Sequence, residues 1–136
     1  MRGSRILIGL TVVVFAIQLV PVARTNPPVT SAVPAPPEVE RILRRACFDC
    51  HSNETVWPPQ AWVAPISWLV AHDVKEGREE LNFSEWSPRQ RQKVAKELAK
   101  ELEKGDMPPS LYVVAHPGAK LGKDDRALLT SWARGL

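Results

Sequence analysis

The sequence predicts an all-α fold, and two observations support this. Apolar residues recur at intervals of three and four along several segments, which is the spacing of the buried face of an α-helix. Proline and glycine stand at the borders of these segments, where they are typical of helix starts and helix ends. With 136 residues, of which 24% are charged and 44% are hydrophobic, the chain has the size and composition of one globular domain.

Four helices are predicted in the part of the chain that follows an N-terminal apolar stretch. The first has acidic residues in its first turn and arginines in its last turns, an arrangement that the helix dipole favours. The third begins after Ser87, a favourable N-cap residue, and ends at Gly105, a common helix terminator. The predicted helices cover residues 38–46, 65–80, 88–104 and 123–134.

The strongest chemical pattern is the run Cys47-Phe48-Asp49-Cys50-His51, which directly follows the first predicted helix. Two thiols three positions apart, with a histidine after the second, match the attachment site of a c-type haem. The thiols can bond to the two vinyl groups of one porphyrin ring, and the adjacent imidazole can then ligate the iron. We therefore expect one covalent haem c attached through Cys47 and Cys50, with His51 as an axial ligand.

A cysteine pair at this spacing has three other uses, and each of them explains less. Cys47 and Cys50 are the only cysteines, so a zinc site would have to recruit His72 and His116 from distant positions. A thioredoxin-like site would need a βαβ pattern, which the sequence does not show. A structural disulfide would close a very small loop and would leave His51 without a role.

A second axial ligand is expected from the segment that follows the third predicted helix. Met107 is flanked by glycine and prolines, so a stiff, extended loop should present its thioether to the iron. His116 also precedes a proline and is the alternative to Met107, because an imidazole binds iron more firmly than a thioether. His72, next to Asp73, is expected on an exposed helix face and is the weaker candidate.

The first 37 residues differ in composition from the rest of the chain. Two arginines followed by an uncharged apolar run predict a membrane anchor at residues 1–23, with a cleaved signal peptide as the alternative. Residues 24–37 hold five prolines and predict an extended linker. Residues 38–136 form the expected haem-binding domain. Since positive flanks stay in the cytoplasm, we expect a single-pass protein whose domain lies in the periplasm or another extracytoplasmic space.

Charge gives no sign of nucleic-acid binding. The formal net charge of +3 comes from 18 basic and 15 acidic residues, and Arg2, Arg5 and Arg24 precede the expected domain. From residue 37 onward, basic and acidic residues are equal in number, so the domain itself carries no formal excess. We therefore expect no nucleic-acid partner.

Short blocks spread over residues 39–132 carry a family resemblance. They are Cys47-Phe48-Asp49-Cys50-His51-Ser52-Asn53-Glu54-Thr55, Ala64-Pro65-Ile66-Ser67-Trp68, Asn82-Phe83-Ser84-Glu85-Trp86, Met107-Pro108-Pro109 with Tyr112, and His116-Pro117. Together they resemble the small membrane-anchored haem-binding domain family of bacteria. A helix running into CxxCH, a later Met-Pro and a C-terminal helix with an aromatic residue also resemble the class I cytochrome c fold. The stretch Pro59-Gln60-Ala61-Trp62 departs from the aromatic-rich pattern of that family.

The resemblance implies roles for further residues. Trp57 and Trp62 would wall the haem crevice, with ordinary core packing as the alternative. Tyr112 would donate a hydrogen bond to a haem propionate or to another acceptor, and His116 would make a structural hydrogen bond. Trp132 on the last helix would meet the first helix.

We expect a class I-like monohaem cytochrome c that acts as a carrier of single electrons, and the sequence leaves open whether it is also an enzyme. Its expected partners are redox proteins of a respiratory or periplasmic chain, and the membrane through the N-terminal helix. A haem-based ligand sensor or a peroxidase-like enzyme is the alternative, and it would need a sixth ligand that leaves the iron readily. A structural or assembly module is the third possibility.

Overall fold

The structure is a computed structural model that describes residues 2–136, and every regular element in this range is helical, as the sequence predicts. The helices are α1 (Arg2–Ile17), α2 (Pro37–Ala46), α3 (Phe48–His51), α4 (Ile66–Glu80), α5 (Pro88–Lys93), α6 (Ala99–Lys104), α7 (Ser110–Ala115) and α8 (Lys123–Arg134). A π-helical segment at Val94–Leu98 joins α5 to α6, and short 3-10 turns span Pro59–Trp62 and Pro117–Ala119.

The four predicted helices are present, and their ends agree with the prediction to within one residue. Ser87 caps α5 as expected, since its side chain accepts a hydrogen bond from Gln90 N at 3.4 Å. Gly105 ends α6 in the left-handed conformation at φ 79°, which glycine adopts without strain. The third predicted helix differs in its middle, where the π-helical segment widens one turn between α5 and α6.

The core forms where α2 and α8 contact each other. The apolar face of α2 is fully buried, and Leu129 and Ala133 of α8 are buried with it. Trp132 is only partly buried and pairs with Trp86 at a ring-centre distance of 6.4 Å. The cluster contains Val33, Val39, Ile42, Leu43, Ala46, Phe48, Phe83, Val94, Leu102, Ala119, Leu121, Leu129 and Ala133.

Residues 24–35, called the strap here, lie along the surface of the domain. The backbone N–H groups of Thr30 and Ser31 both donate to Ser84 O, at 3.0 and 3.1 Å, and the side chain of Val33 enters the core. The strap contains no helix, as its prolines predict. It packs on the domain instead of acting as a free spacer, because the N–H of Val33 also donates to the domain, to Phe83 O at 2.9 Å. The domain borders at residues 23 and 37 stay predictions.

Helix α1 ends at Ile17, before the end of the apolar stretch that predicts an anchor. It has 16 residues, and within residues 2–136 no helix combines the length and apolarity needed to cross a membrane. Beyond the helix, Gln18 pairs with Ala64, donating to its O at 3.2 Å and accepting from its N at 2.9 Å. The predicted single-pass membrane anchor is therefore wrong, because the helix on which it depended ends too early.

Candidate functional site

The cysteine–histidine motif lies on a single helical turn directly after α2. The carbonyl of Cys47 accepts hydrogen bonds from Cys50 N at 3.2 Å and from His51 N at 2.9 Å. Residues three and four positions apart on a helix share one face. The turn therefore directs two thiols and one imidazole from the same side of the chain.

Both cysteines are free thiols. Burial raises the pKa of Cys47 to about 12, and burial together with nearby acidic groups raises the pKa of Cys50 to about 11. A cysteine pair that exchanges disulfides instead has a lowered pKa, because the thiolate is the nucleophile. The environment therefore disfavours a thioredoxin-like activity and keeps both thiols protonated.

His51 is held by α4 through one ring nitrogen. Its Nδ1 lies 2.8 Å from Gly77 O and 3.1 Å from Leu81 O. Carbonyl oxygens only accept, so Nδ1 carries the hydrogen and the neutral ring keeps a free lone pair on Nε2. Burial lowers the pKa of His51, which favours this neutral ring. An imidazole anchored at one nitrogen and free at the other is typical of a metal ligand.

The motif rests on the aromatic part of the core. Phe48 stacks on Phe83 with ring centres 5.6 Å apart, and Phe83 makes an edge contact with the His51 ring at 6.4 Å. The N–H of Phe83 also donates to His51 O at 2.8 Å. The guanidinium of Arg44 lies 4.7 Å from the centre of the Phe48 ring. Phe83 thus contacts both the backbone and the ring of the histidine.

Buried polar residues after the motif form a hydrogen-bonded network. Ser52 Oγ donates to Phe48 O at 2.8 Å. Asn53 N donates to Ser84 Oγ at 2.9 Å, and Asn53 Oδ1 accepts from Asn82 Nδ2 at 2.9 Å. Buried polar atoms cost free energy unless they are paired, so this pairing fixes the loop that leaves the motif.

Arg78 of α4 ties the strap to this loop. Its Nε donates to Ser52 O at 2.7 Å, and its Nη2 donates to Thr55 Oγ1 at 2.9 Å. The same guanidinium donates to Thr25 O at 2.8 Å and to Asn26 Oδ1 at 3.0 Å. One side chain therefore links α4, the loop after the motif and the strap.

Tyr112 connects α7 to the motif. Its hydroxyl donates to Asp49 Oδ2 at 2.7 Å, and Asp49 Oδ1 accepts from Val56 N at 3.0 Å. Burial, and then this hydrogen bond, raise the pKa of Tyr112 far above its usual value, so the phenol stays protonated and continues to donate. Asp49 stands between the two cysteines, so the bond reaches the motif itself. The acceptor here is a carboxylate of the chain, and a role for Tyr112 at a propionate stays a prediction.

The two candidates for the second axial ligand lie on either side of α7. Met107 belongs to the segment between α6 and α7 and is 38% exposed. His116 follows α7, where its Nδ1 lies 3.2 Å from Tyr112 O and its ring stacks on the Tyr112 ring at 4.3 Å. The structural hydrogen bond expected of His116 is therefore present, but it occupies only one ring nitrogen. The choice between Met107 and His116 stays a prediction.

Trp57 and Trp62 lie beside the strap. The indole N–H of Trp57 donates to Asn26 Oδ1 at 3.3 Å, and the Arg24 guanidinium lies 4.3 Å from the centre of the Trp62 ring. In the described part of the chain, neither ring belongs to the core cluster, so ordinary core packing does not account for them. Their role as walls of a haem crevice stays a prediction.

The zinc alternative finds no support in the geometry. His72 is on the exposed face of α4, as expected, and pairs with Glu76 at 3.3 Å. Among residues 2–136, no three His, Cys, Asp or Glu side chains are arranged to hold a metal ion. The described residues thus offer no group that could complete a zinc site with the motif.

Three residues at the site were not found by sequence reasoning. Gly77 supplies a carbonyl to His51, Asp49 accepts from Tyr112, and Arg78 holds the strap. The first left a usable signal, because glycine inside a helix is costly and often marks a close approach. The other two left none, since a partly buried charged residue resembles a solvated one in the sequence.

Two free thiols and an anchored imidazole on one face are donors that fit a haem, whose iron takes a nitrogen ligand. The fold and the site thus define an all-helical haem protein. The chain belongs to the haem-binding domain family, which matches residues 12–135 and so includes the strap, the motif and α8. No curated protein matches the chain, and no solved structure does. Family membership supports haem as the cofactor.

Proposed function

We propose that this chain holds one haem c covalently and carries single electrons between redox partner proteins. The observation that supports this most is the hydrogen bonding of His51, which leaves Nε2 free beside two neutral thiols. A reactive thiol pair would not need such a histidine. An enzyme would need further acid–base groups near the motif.

Attachment requires only that each thiol add across one vinyl group of the porphyrin. The sulfur of Cys47 or Cys50 bonds to one vinyl carbon and the hydrogen goes to the other, so no oxidant or reductant is consumed. A bound haem supplies an iron centre that cycles between the ferrous and ferric states. His51 ligates from Nε2, and its ring orientation is fixed by α4.

Met107 is our proposed second ligand in a class I-like arrangement. It lies on a short segment that Gly105 and two prolines separate from the neighbouring helices. The bond from Tyr112 to Asp49 brings α7, which follows this segment, to the motif. A thioether ligand gives a higher reduction potential than a second imidazole, which suits an electron carrier.

Covalent attachment is tested by extracting the purified full chain with acidic acetone. The wild type should keep its haem on the polypeptide, and the double variant Cys47→Ala with Cys50→Ala should lose it. Each single variant serves as a control, because one remaining thioether should still retain the haem. Release of the haem from the wild type would rule out covalent attachment.

The second ligand is tested by comparing Met107→Ala with His116→Ala. Met107→Ala should remove the far-red methionine–iron charge-transfer band, lower the reduction potential and let CO bind the reduced iron. His116→Ala should leave the band in place and the one-electron titration unchanged. The reverse result would mean that two histidines ligate the iron, with a lower potential.

Ligand sensing or peroxidase-like activity is the second candidate, and one observation favours it. Met107 is 38% exposed, and α7 buries none of its residues, so the second ligand could leave the iron. A high-spin spectrum of the wild type and rapid CO binding without any mutation would favour this candidate over electron transfer.

A further inference from the structure

Gly77 lies where α4 comes closest to the motif. A Cβ atom added at this position would be 2.5 Å from Cys50 O and 3.0 Å from Cys50 Cβ. Real Cβ atoms essentially never approach other atoms to 2.5 Å, and the nearer atom here is backbone, which cannot rotate away. Any side chain at residue 77 would therefore push α4 and the motif apart.

The same residue supplies the nearer of the two carbonyls that bind His51. Gly77 O lies 2.8 Å from His51 Nδ1, while Leu81 O lies at 3.1 Å. Because His51 directly follows Cys50, a displacement of Cys50 moves the imidazole as well. The missing side chain and the hydrogen bond are thus parts of one close contact.

We propose that Gly77 is the positioning residue of the iron ligand: its lack of a side chain lets α4 approach the motif closely enough for its carbonyl to orient His51. This inference rests on the proposed function. It names a residue that acts on the iron only through His51. It also explains a glycine in the interior of α4, where alanine would be the better helix former.

The alternative is that residue 77 has no specific need for glycine and that Gly77 merely lies on a buried helix face. The two possibilities predict opposite effects on stability. If space were available, Gly77→Ala would stabilise α4 through helix propensity. If the contact with Cys50 matters, the same change destabilises the protein despite that gain and also alters the iron.

The experiment compares Gly77→Ala with Gly118→Ala in the haem-loaded full chain. Gly118 is the matched control, because nothing lies within 4 Å of a Cβ added there. We expect Gly77→Ala to lower the unfolding temperature and to raise the reduction potential, since a weaker hydrogen bond makes the imidazole a poorer donor to iron. The His51 Nδ1–H should also exchange with solvent about tenfold faster, which NMR can measure. This factor corresponds to the free energy of one net hydrogen bond.

The outcomes separate this inference from the proposed function. Absence of haem from the wild type would refute the function and, with it, the role of Gly77. If the wild type holds haem but Gly77→Ala behaves like Gly118→Ala, the inference alone is overturned. It is also overturned if Gly77→Ala lowers the unfolding temperature but leaves the reduction potential and the Nδ1–H exchange rate unchanged. If Gly77→Ala fails to accumulate while Gly118→Ala does accumulate, the exchange rate of the His51 Nδ1–H in the wild type is the deciding measurement. A slowly exchanging Nδ1–H supports the inference, and exchange at the rate of an exposed imidazole refutes it.

Discussion

The two sides of the cysteine–histidine motif are built differently. On the α4 side, backbone meets backbone: Gly77 contacts Cys50 closely, and two carbonyls bind the His51 ring. On the α7 side, Leu111 and Val114 are 68% and 79% exposed, and the helix buries none of its residues. There the link to the motif is a side-chain bond, from Tyr112 to Asp49.

If His51 and Met107 are the axial ligands, as we propose, this difference means that the two axial positions are controlled in different ways. A ligand fixed by buried backbone contacts keeps its geometry in any state of the iron, because moving it would disrupt the core. A ligand on a segment held by one side-chain hydrogen bond depends on the stiffness of that segment. The His51 side should therefore dominate stability, and the α7 side should control access to the iron.

The largest expected difference between the two sides comes from Phe83→Ala and Leu111→Ala. Phe83 is 2% exposed and contacts both Phe48 and His51, so its loss should cost about 3–5 kcal/mol of unfolding free energy. Leu111 is 68% exposed, so its truncation should change stability by less than about 0.5 kcal/mol. Urea denaturation measures both. Equal losses would show that the two sides do not differ in packing.

Arg78→Met should have the next largest effect. It removes donors to the motif loop and to the strap while keeping much of the side-chain volume, and we expect a loss of about 2–3 kcal/mol. Limited proteolysis should then cut the strap, because its link to α4 is gone. Lys75→Met on the same helix is the control, since that side chain is 73% exposed and only weakly paired. A strap that resists cleavage in Arg78→Met would show that its backbone bonds to Ser84 suffice.

Most of the fold followed from local sequence patterns. The apolar stripe of α2, the cap at Ser87 and the stop at Gly105 are decided by neighbouring residues, so helix positions could be predicted to within one residue. The motif itself could be read directly because Cys47, Cys50 and His51 lie within five consecutive residues, and the attachment of a haem c through it stays a proposal.

The failures all depend on contacts between distant segments. Helix α1 ends where Gln18 pairs with Ala64, and no pattern in residues 2–23 reveals that partner. The strap was expected to be a spacer, because its composition does not show that Ser84 would accept its N–H groups. Gly77 likewise gains its meaning only from Cys50, which lies far from it in the sequence and next to it in the fold. The spacing of apolar residues describes one segment of the chain, whereas these features depend on contacts between two segments.

Tyr112→Phe tests the α7 side directly. It keeps the ring that stacks on His116 and removes the hydroxyl that donates to Asp49, so the cost should be about 1 kcal/mol. In the haem-loaded protein, CO should bind the reduced iron faster than in the wild type, because the segment before α7 is released. Ser110→Ala at the exposed start of α7 is the control. An unchanged CO rate would show that the Tyr112–Asp49 bond does not control access.

Among the variants that remove a polar contact, Asp125→Asn should have the smallest effect. Asp125 Oδ2 lies 2.6 Å from an Arg45 nitrogen and accepts from Gly122 N at 2.9 Å. The Arg45 guanidinium, and then the Gly122 N–H, hold the pKa of Asp125 below its usual value. Because both side chains are partly solvated, the variant should lose less than about 1 kcal/mol at pH 7.

The pH dependence of this loss identifies its ionic part. A carboxylate whose pKa is lower in the folded state stabilises the protein above its unfolded pKa, and this contribution disappears as pH falls through the folded pKa. The difference between wild type and Asp125→Asn should therefore be complete at pH 7 and should disappear as pH falls through the folded pKa of Asp125, which lies below its usual value. Asp124→Asn, in the same helical turn but without the Arg45 bond, is the control for the helix dipole. A loss of the same size throughout the acidic range would show that the tie is not ionic. The Arg45–Asp125 pair and the Tyr112–Asp49 bond are both made by side chains. A larger cost for Tyr112→Phe would therefore mean that the Tyr112–Asp49 bond gains strength from its partial burial beside the motif.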